Sequence, residues 1–519
     1  MPENDPHFAA YKPIRNKLRK LNPHSILKLV ADKLFEVENR GIEVMRHFQP
    51  WNMLLLLRWS IQEIDTVAHR RPDATQNDFH QLLNQIHEMD ALSLPDDYEH
   101  VILFLRTLSY QQFALQRGPD GSAIARMNLL FGGLKNGHEY QTQFKKQTGI
   151  SILDCLDLCY ATATIFIART PSRTIQPQLY RLIKDSLPPS AIEDFLVLIS
   201  TTPTEVQSRL ANDPDFKNQT IAEQSILPSP FLDTPIIRVG QSKYRVLSPR
   251  LVLRRIESVI YRTLKTGNPS FGVKFGRIFE AYVHDCLRSA EVDCLSENQL
   301  NRTFGGEGKC VDFLIREDEC NILIDAKGVE ANLPARIARS TSYLISKLRT
   351  SVQKGIEQGM ETQIRALSSD SLKREIRINP CEPFLLIVTY DHLHLGSSYD
   401  LESILGDSML SKLREKYGDP LPVPLGNIFF ASIEEFEDLL SAIRTKEISS
   451  FGGFFRYARE QDLDPRTRKM DLYLHLAERI KNPERLPILQ ESLTQIARRV
   501  ILRIPDAYRN GAKTKAFLK

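Results

Sequence analysis

The sequence predicts an α/β protein with a mixed β-sheet core between a large N-terminal helical region and a short helical C-terminal region. Residues 1–225 show helical periodicity with few strand-like runs. Residues 226–445 alternate β-rich runs with helical stretches, which is typical of an α/β domain. Residues 446–519 return to helical patterns. We therefore expect three regions: an all-helical domain, an α/β domain and a helical end.

Composition places the chain among ordinary globular proteins. Its 519 residues are enough for two or three domains, and it is 42% hydrophobic and 25% charged with a formal net charge of +4. The longest apolar run, Met53–Leu57, is too short to cross a bilayer, and the N-terminus lacks the apolar segment of a signal peptide. Seven cysteines without CxxC spacing argue against zinc and favour a reducing compartment. We expect a cytoplasmic protein without membrane contact.

The N-terminal region has no assigned role. Trp51 and Trp59, eight residues apart on one helical face, are interpreted as core anchors rather than base-stacking platforms. The region is left as a candidate for recognition or regulation, through which a protein trigger or partner would bind. Its clearest predicted helices are 25–35, 51–64, 101–116 and 152–168, the last of which is apolar nearly all round and is expected to be central.

A basic stretch precedes and enters the α/β region. Residues 238–277 hold ten Lys or Arg and one acid, Glu257, in a chain whose charges nearly balance. Basic side chains supply sequence-independent affinity for nucleic acids, so phosphate contact is favoured over a solvated helix face. The candidates for phosphate contact are Arg250, Arg254, Arg255, Lys274 and Arg277.

Residues 309–328 are the most informative part of the chain. Two β-rich runs flank a short acidic turn near Asp318 and Glu319, which predicts a hairpin. Antiparallel pairing about that turn sets Asp312 opposite Asp325. Because side chains alternate along a strand, Asp325 and Lys327 emerge on one face. Two carboxylates and an ammonium would converge there, whereas the alternative is a surface hairpin with an exposed ion pair.

This trio is suited to metal-assisted hydrolysis of phosphodiesters. Carboxylate oxygens are the ligands that Mg²⁺ prefers, and Mg²⁺ usually keeps several waters. A metal ion held in this way polarises a phosphate and helps to generate hydroxide. Lys327 would orient the attacking water or offset the charge of the transition state. We therefore expect Mg²⁺, or Mn²⁺, as the cofactor.

The helix predicted upstream strengthens this interpretation. Apolar residues recur at helical spacing, and Glu280 lies beside this stripe. A helix with Glu280, then Asp312, then Asp325-Ala326-Lys327 resembles the core of the PD-(D/E)xK nuclease superfamily over about residues 270–390. Val311 stands where the motif has Pro. The predicted stripe consists of Phe275, Ile278, Phe279, Tyr282, Val283 and Leu287.

The resemblance implies a restriction-endonuclease-like fold and a role for each matched residue. Asp312 and Asp325 would bind metal with help from the Ala326 carbonyl, Lys327 would position or activate water, and Glu280 would hold a second metal or a metal-bound water. Members of this superfamily often add a Gln or Lys from the next helix, predicted over residues 340–360. The candidates there are Gln353, Lys354 and Gln358.

The rest of the chain completes the predicted sheet. Residues 384–390 and 427–431 read as strands, and Ser432 with Glu435 predicts a capping box at the start of the following helix. The basic end, residues 491–519, is interpreted as a solvated terminus rather than a nucleic-acid contact.

The predicted function is that of a Mg²⁺-dependent nuclease with DNA favoured over RNA as substrate. Family association alone suggests defence against phage or mobile DNA. The alternatives are a catalytically silent nuclease fold that binds nucleic acid, or a protein-interaction scaffold built on the helical region. A homo-oligomer is left open.

Overall fold

A computed structural model shows two compact units of mixed α/β structure. It describes residues 5, 7–40, 48–89, 99–116, 121–135, 137–168, 173–217, 219–240, 243–306, 308–317, 320–368, 374 and 382–506. The first unit comprises residues 1–95, 108–267 and 492–519, and the second comprises residues 96–107 and 268–491. The predicted boundaries at 225 and 445 differ from this division, because residues 226–267 belong to the first unit and residues 446–491 to the second.

The first unit is largely helical but contains a small sheet. Its strands are β1 (Thr174–Ile175), β2 (Ser200–Thr201), β3 (Ile236–Gly240) and β4 (Lys243–Val246), in the spatial order β1-β4-β3-β2. Strands β3 and β4 form an antiparallel hairpin, whose turn lies outside the described residues. The expectation of an all-helical N-terminal region is wrong, since β1 and β2 pair with this hairpin.

Helices enclose the core of the first unit, in which Tyr11, Trp59, Phe79 and Phe231 are fully buried. The chain passes between units at Gly267 and within the helices Val101–Gln116 and Pro487–Arg503. The described helices of this unit, including short 3₁₀ and π turns, are Phe8–Leu18, Pro23–Arg40, Pro50–Gln62, Ala68–Arg70, Gln76–Glu88, Ser122–Met127, Asn128–Gly132, Glu139–Thr148, Ile152–Ala168, Pro177–Tyr180, Lys184–Ser186, Ala191–Leu198, Pro203–Asn212, Pro214–Lys217, Ile221–Ile226, Pro230–Leu232, Pro249–Ile256 and Val259–Lys265.

The second unit is built on a five-stranded mixed sheet. Strands β5 (Cys294–Ser296), β6 (Phe313–Arg316) and β7 (Cys320–Lys327) are antiparallel, whereas β8 (Glu382–Thr389) and β9 (Ile428–Ser432) continue parallel to β7. Strands β7 and β8 are apolar along most of their length and are buried, as expected for central strands covered on both faces.

Helices pack against this sheet. The helix Phe271–Ser289, here called the Glu280 helix, buries the predicted apolar stripe except Ile278, which is half-buried. The helix Lys354–Leu367, here called the Gln358 helix, follows a π turn that interrupts the predicted 340–360 helix. The remaining described helices are Glu297–Thr303, Leu333–Arg336, Thr341–Leu348, Arg349–Gln353, Leu401–Tyr417, Leu425–Asn427, Ile433–Arg444, Phe451–Leu463 and Leu472–Arg479.

Local signals place several of these elements correctly. Ser432 accepts a hydrogen bond from the N–H of Glu435, and the Glu435 side chain accepts one from the N–H of Ser432, so the predicted capping box is confirmed.

Within the described residues, no single helix is long and apolar enough to cross a membrane. The helices Glu139–Thr148 and Ile152–Ile167 pass that test only as a pair bent by 63°.

Candidate metal centre

Three acidic residues lie in one row across strands β5, β6 and β7. The antiparallel registers, continued by one residue beyond Phe313, place Glu297 opposite Asp312 and Asp312 opposite Asp325. The main-chain N–H of Glu297 donates to the carbonyl of Asp312 at 2.7 Å, which continues the β5–β6 ladder. The predicted pairing of Asp312 with Asp325 is thus confirmed, while the turn residues Asp318 and Glu319 lie outside the described chain.

The Glu280 helix brings a fourth carboxylate, that of Glu280, next to Glu297 and Asp312. Glu280, Glu297 and Asp312 each offer one carboxylate oxygen, and these oxygens all lie within 4.8 Å of one another. Asp325 is not part of this group of three. The structure therefore brings together two of the predicted metal ligands, Glu280 and Asp312, and adds Glu297, which the sequence analysis missed.

Asp312 is held by the neighbouring strand. Its side chain is 8% exposed, and its Oδ2 accepts a hydrogen bond of 2.6 Å from the main-chain N–H of Ala326. Burial and the negative charge of Asp325 raise the pKa of Asp312, whereas Lys327 opposes this rise. Burial and the charge of Glu297 likewise raise the pKa of Glu280. Carboxylates crowded in this way repel one another, and a cation would relieve that repulsion.

Asp325 is fully buried, and its Oδ2 lies 2.5 Å from Lys327 Nζ. Apart from this ion pair, neither oxygen of Asp325 accepts a hydrogen bond within the described part of the chain. Burial raises the pKa of Asp325, and Lys327 counteracts the rise. An incompletely satisfied buried carboxylate is costly, so it requires an explanation beyond packing.

The Gln358 helix orients Lys327. Lys327 Nζ donates to Gln358 Oε1 at 2.9 Å, and Gln358 Nε2 donates to the carbonyl of Cys310 at 2.6 Å. The second hydrogen bond determines which end of the amide faces the lysine. The helix approaches the sheet closely at Gly355, where an added Cβ would lie 2.8 Å from Asp325 Oδ2. The glycine therefore leaves room for the aspartate.

The other two candidates differ in position, since Lys354 begins the Gln358 helix and Gln353 ends the π turn before it. Lys354 is exposed, and its positive charge lowers the pKa of Asp325. Gln353 instead donates to Glu357 Oε1 at 2.9 Å. Of the three candidates from the sequence, Gln358 contacts the predicted site directly, Lys354 acts through its charge, and Gln353 bonds to Glu357 in the first turn of the Gln358 helix.

The basic stretch is divided between the two units. Lys274 and Arg277 are exposed on the first turns of the Glu280 helix, and the charge of Arg277 lowers the pKa of Glu280. They remain candidates for phosphate contact.

Arg250, Arg254 and Arg255 belong to the first unit and have intramolecular partners. Arg250 donates to the carbonyl of Gln116 at 3.2 Å, and Arg254 pairs with Glu257 at 3.2 Å. Arg255 is 8% exposed. The prediction of phosphate contact is wrong for Arg255, because a buried guanidinium cannot reach a nucleic-acid backbone, and the partners of Arg250 and Arg254 supply structural reasons for their charges.

Glu297 had a recognisable signal in the sequence. It directly follows Ser296, which forms a capping box with Gln299, and it precedes the hairpin by one short helix. An acidic residue in the first turn of a helix is ordinarily explained by the helix dipole. Only the pairing of β5 with β6 shows that this acid stands beside Asp312.

The donor set fits a hard divalent cation. The three clustered groups offer carboxylate oxygen, which Mg²⁺ and Mn²⁺ prefer, and no Cys or His belongs to the cluster among the described residues. The Oδ1 of Asp325, which has no partner among the described residues, adds to this fit.

Comparisons of the chain with models of protein families, with curated proteins and with solved structures found no match. The geometry of the site therefore carries the functional argument.

Proposed function

We propose that the second unit is a Mg²⁺- or Mn²⁺-dependent nuclease of the PD-(D/E)xK type. The observation that carries the proposal is the row of Glu297, Asp312 and Asp325 across three neighbouring strands, with Lys327 paired to Asp325. A structural hairpin needs no such concentration of acids, whereas metal-assisted phosphodiester hydrolysis requires it.

The sheet topology supports the same assignment. An antiparallel β5–β6–β7 meander continued by parallel β8 and β9, with a helix before the first strand, agrees with the restriction-endonuclease-like core that the sequence resemblance implies. The helix before β5 carries Glu280, and the one before β8 carries Gln358.

Each residue has a chemical task in the proposed reaction. Asp312, Glu280 and Glu297 would hold the cation, together with Asp325 and the Ala326 carbonyl that the resemblance suggests. The bound cation supplies charge neutralisation at the phosphate and acidifies water. Lys327, held by Asp325 and Gln358, would orient the attacking water and stabilise negative charge on the phosphate oxygens.

The reaction would join the water oxygen to phosphorus and break the bond from phosphorus to a sugar oxygen. The sugar oxygen would leave with a proton given up by the water.

The exposed Lys274, Arg277 and Lys354 offer positive charge for the substrate backbone. We favour DNA over RNA. A role in defence against phage or mobile DNA rests on the resemblance alone.

The test is cleavage of supercoiled plasmid, linear DNA, single-stranded DNA and total RNA in Mg²⁺, Mn²⁺ or EDTA. We expect cation-dependent products that identify the substrate class. Asp325→Ala and Lys327→Ala should each reduce cleavage by at least about 10²-fold, because the first removes a proposed ligand of the cation and the second removes the group that would orient water and stabilise charge on the phosphate. Asp285→Ala provides the matched control, since Asp285 is an acid on the Glu280 helix with a side chain 46% exposed.

Wild-type rates in both Asp325→Ala and Lys327→Ala would refute the assignment. Tight DNA binding that needs no divalent cation, without cleavage of any substrate, would favour a catalytically silent nuclease fold instead.

A further inference from the structure

The segment that leads into Asp312 is held by side chains rather than by strand pairing. Strand β6 begins at Phe313, so residues 308–311 lie before the regular ladder of the sheet. Cys310 and Val311 are nevertheless fully buried, and their main-chain polar groups therefore need partners within the protein. The direction of the Asp312 side chain depends on what holds this segment.

The Gln358 helix supplies two of these partners. Gln358 Nε2 donates to the carbonyl of Cys310 at 2.6 Å, and the main-chain N–H of Val311 donates to Thr362 Oγ1 at 2.9 Å. Gln358 and Thr362 lie one turn apart on the same face of the helix. The main chain on the N-terminal side of Asp312 is therefore fastened to this helix.

Thr362 offers Val311 a fixed acceptor. Its side chain is fully buried, and its hydroxyl donates to the carbonyl of Gln358 at 2.7 Å. Because the hydroxyl hydrogen is used in that bond, the oxygen faces the N–H of Val311 as an acceptor. Loss of the hydroxyl would leave a buried N–H without this partner, so the segment would have to shift or bear that cost.

Arg365 holds the same segment from the next turn of the helix. Its Nη2 donates to the carbonyl of Gly306 at 3.0 Å, and its guanidinium carbon lies 4.6 Å from the centre of the Phe304 ring. The guanidinium also lies directly against Gly308, where an added Cβ would contact Nη1. The approach to Asp312 is thus supported over several residues and not at Val311 alone.

The helix is itself fixed against the sheet. A Cβ at Gly355 would lie 2.9 Å from Ile387 Cδ1, and a Cβ at Gly359 would lie 2.6 Å from Leu385 Cδ2. The two glycines are one turn apart, so the helix backbone approaches strand β8 closely over that whole turn. Such close packing restricts movement of the helix, which makes it a firm support for Asp312.

We propose that Thr362, supported by Arg365, is a positioning residue that directs the Asp312 carboxylate toward the cation. The inference rests on the proposed function, since it takes Asp312 as a metal ligand. Thr362 contacts neither cation nor substrate in this role and acts through the main chain of Val311. Replacing a residue that orients a metal ligand typically lowers metal affinity.

The test is titration of the full-length protein with Mn²⁺, in which electron paramagnetic resonance measures the free ion. Binding that is lost in Asp312→Ala reports the carboxylate cluster and defines the signal. Thr362→Val, which keeps the shape but removes the hydroxyl, should raise the Kd for Mn²⁺ about tenfold or more. Thr362→Ser, which keeps the hydroxyl, should stay within about threefold of wild type.

Arg365→Met is a second variant, and the direction of its effect separates positioning from charge. Removal of a positive charge alone would tighten cation binding, whereas loss of the hold on Gly306 should raise the Kd about threefold. Arg365 is partly exposed, so this variant keeps the test decisive if Thr362→Val does not fold.

Ser351→Ala is the matched control. Ser351 carries a buried hydroxyl that donates to the carbonyl of Leu348 and forms no hydrogen bond with residues 308–311. This variant should keep the wild-type Kd even where it lowers the free energy of unfolding.

Three results would overturn the positioning role and leave the proposed function standing. They are an unchanged Kd in Thr362→Val, an equal loss of affinity in Thr362→Val and Thr362→Ser, and tighter binding in Arg365→Met. Absence of Asp312-dependent Mn²⁺ binding in the wild-type protein would overturn the proposed metal centre as well.

Discussion

Two fully buried aspartates, Asp157 in the first unit and Asp325 in the second, differ in the partners of their carboxylate oxygens. Asp157 Oδ1 lies 2.5 Å from Arg499 Nε, and its Oδ2 lies 2.6 Å from Arg503 Nε. Asp325 has a single lysine partner, which contacts its Oδ2, and its Oδ1 accepts no hydrogen bond from the described residues. Burial raises the pKa of both carboxyl groups, and the positive neighbours oppose it in both.

The difference separates a structural ion pair from the carboxylate that we propose binds a cation. Two guanidinium groups satisfy both oxygens of Asp157 and attach the helix Pro487–Arg503 to the helix Ile152–Ala168. Asp325 retains one oxygen atom, Oδ1, that an additional cation would satisfy. An oxygen without a partner, rather than burial or a raised pKa, distinguishes Asp325, the proposed metal ligand, from Asp157.

The contrast between Asp157 and Asp325 is tested most directly by replacing each aspartate with asparagine. Asp157→Asn should lower the free energy of unfolding by about 3–5 kcal/mol, because it leaves two arginines without their common partner. Asp325→Asn should change it by less than about 1 kcal/mol, since Lys327 keeps Gln358 Oε1 as an acceptor and the buried charge that is removed has one oxygen without a partner. Urea unfolding at pH 7 without divalent cations measures both effects.

The readout has to report each unit separately. Trp51 and Trp59 are the two tryptophans of the chain and lie in the first unit, so fluorescence follows that unit. Hydrogen exchange of strands β6 and β7 follows the second. Equal destabilisation by the two substitutions would show that Asp325 is a structural residue like Asp157.

Gln358 provides a second test of the proposed site, because it accepts a hydrogen bond from Lys327, the lysine that pairs with Asp325. Gln358→Leu should lower kcat for cation-dependent cleavage about 10–100-fold with little change in KM, because Lys327 loses the acceptor that orients it. Gln353→Leu, in the π turn directly before that helix, should leave kcat within about twofold, since Gln353 bonds to Glu357. Steady-state cleavage kinetics test this, and comparable losses in both variants would remove the positioning role.

Glu357 is a third carboxylate to compare with these aspartates, and its contribution to stability should be the smallest. It lies near the surface and has two lysine partners. Burial opposes its ionisation, but Lys309, Gln353 and Lys416 outweigh burial and lower the pKa of Glu357 from 4.5 to about 2. The ionised form is therefore favoured by folding. Its stabilisation is present above pH 4.5 and is lost as the pH falls toward 2.

Glu357→Gln should accordingly lower the free energy of unfolding at pH 7 by no more than about 1 kcal/mol, because solvent screens the pair. The difference from wild type should shrink by pH 3. Urea midpoints at pH 7 and pH 3 provide the measurement, and a difference that grows on acidification contradicts the assignment.

The candidate site was predictable where its parts are close in sequence. The alternation of residues 309–328 determined that Asp312 faces Asp325 and that Lys327 shares the face of Asp325, because a hairpin's register follows from its turn. Helical periodicity likewise determined the buried side of the Glu280 helix. Glu297 was missed, because its pairing with Asp312 joins segments separated by a helix and a loop.

The sequence by itself determined the α/β class, the hairpin and most of the acidic centre, since these follow from local periodicity and neighbouring residues. Tertiary structure alone decided that residues 226–267 join the first unit and that Arg255 is buried. It also decided that Arg499 and Arg503 bind Asp157 rather than face solvent. The physical reason is that a charge pattern is identical for a solvated and a buried arginine, and only long-range packing selects the partner.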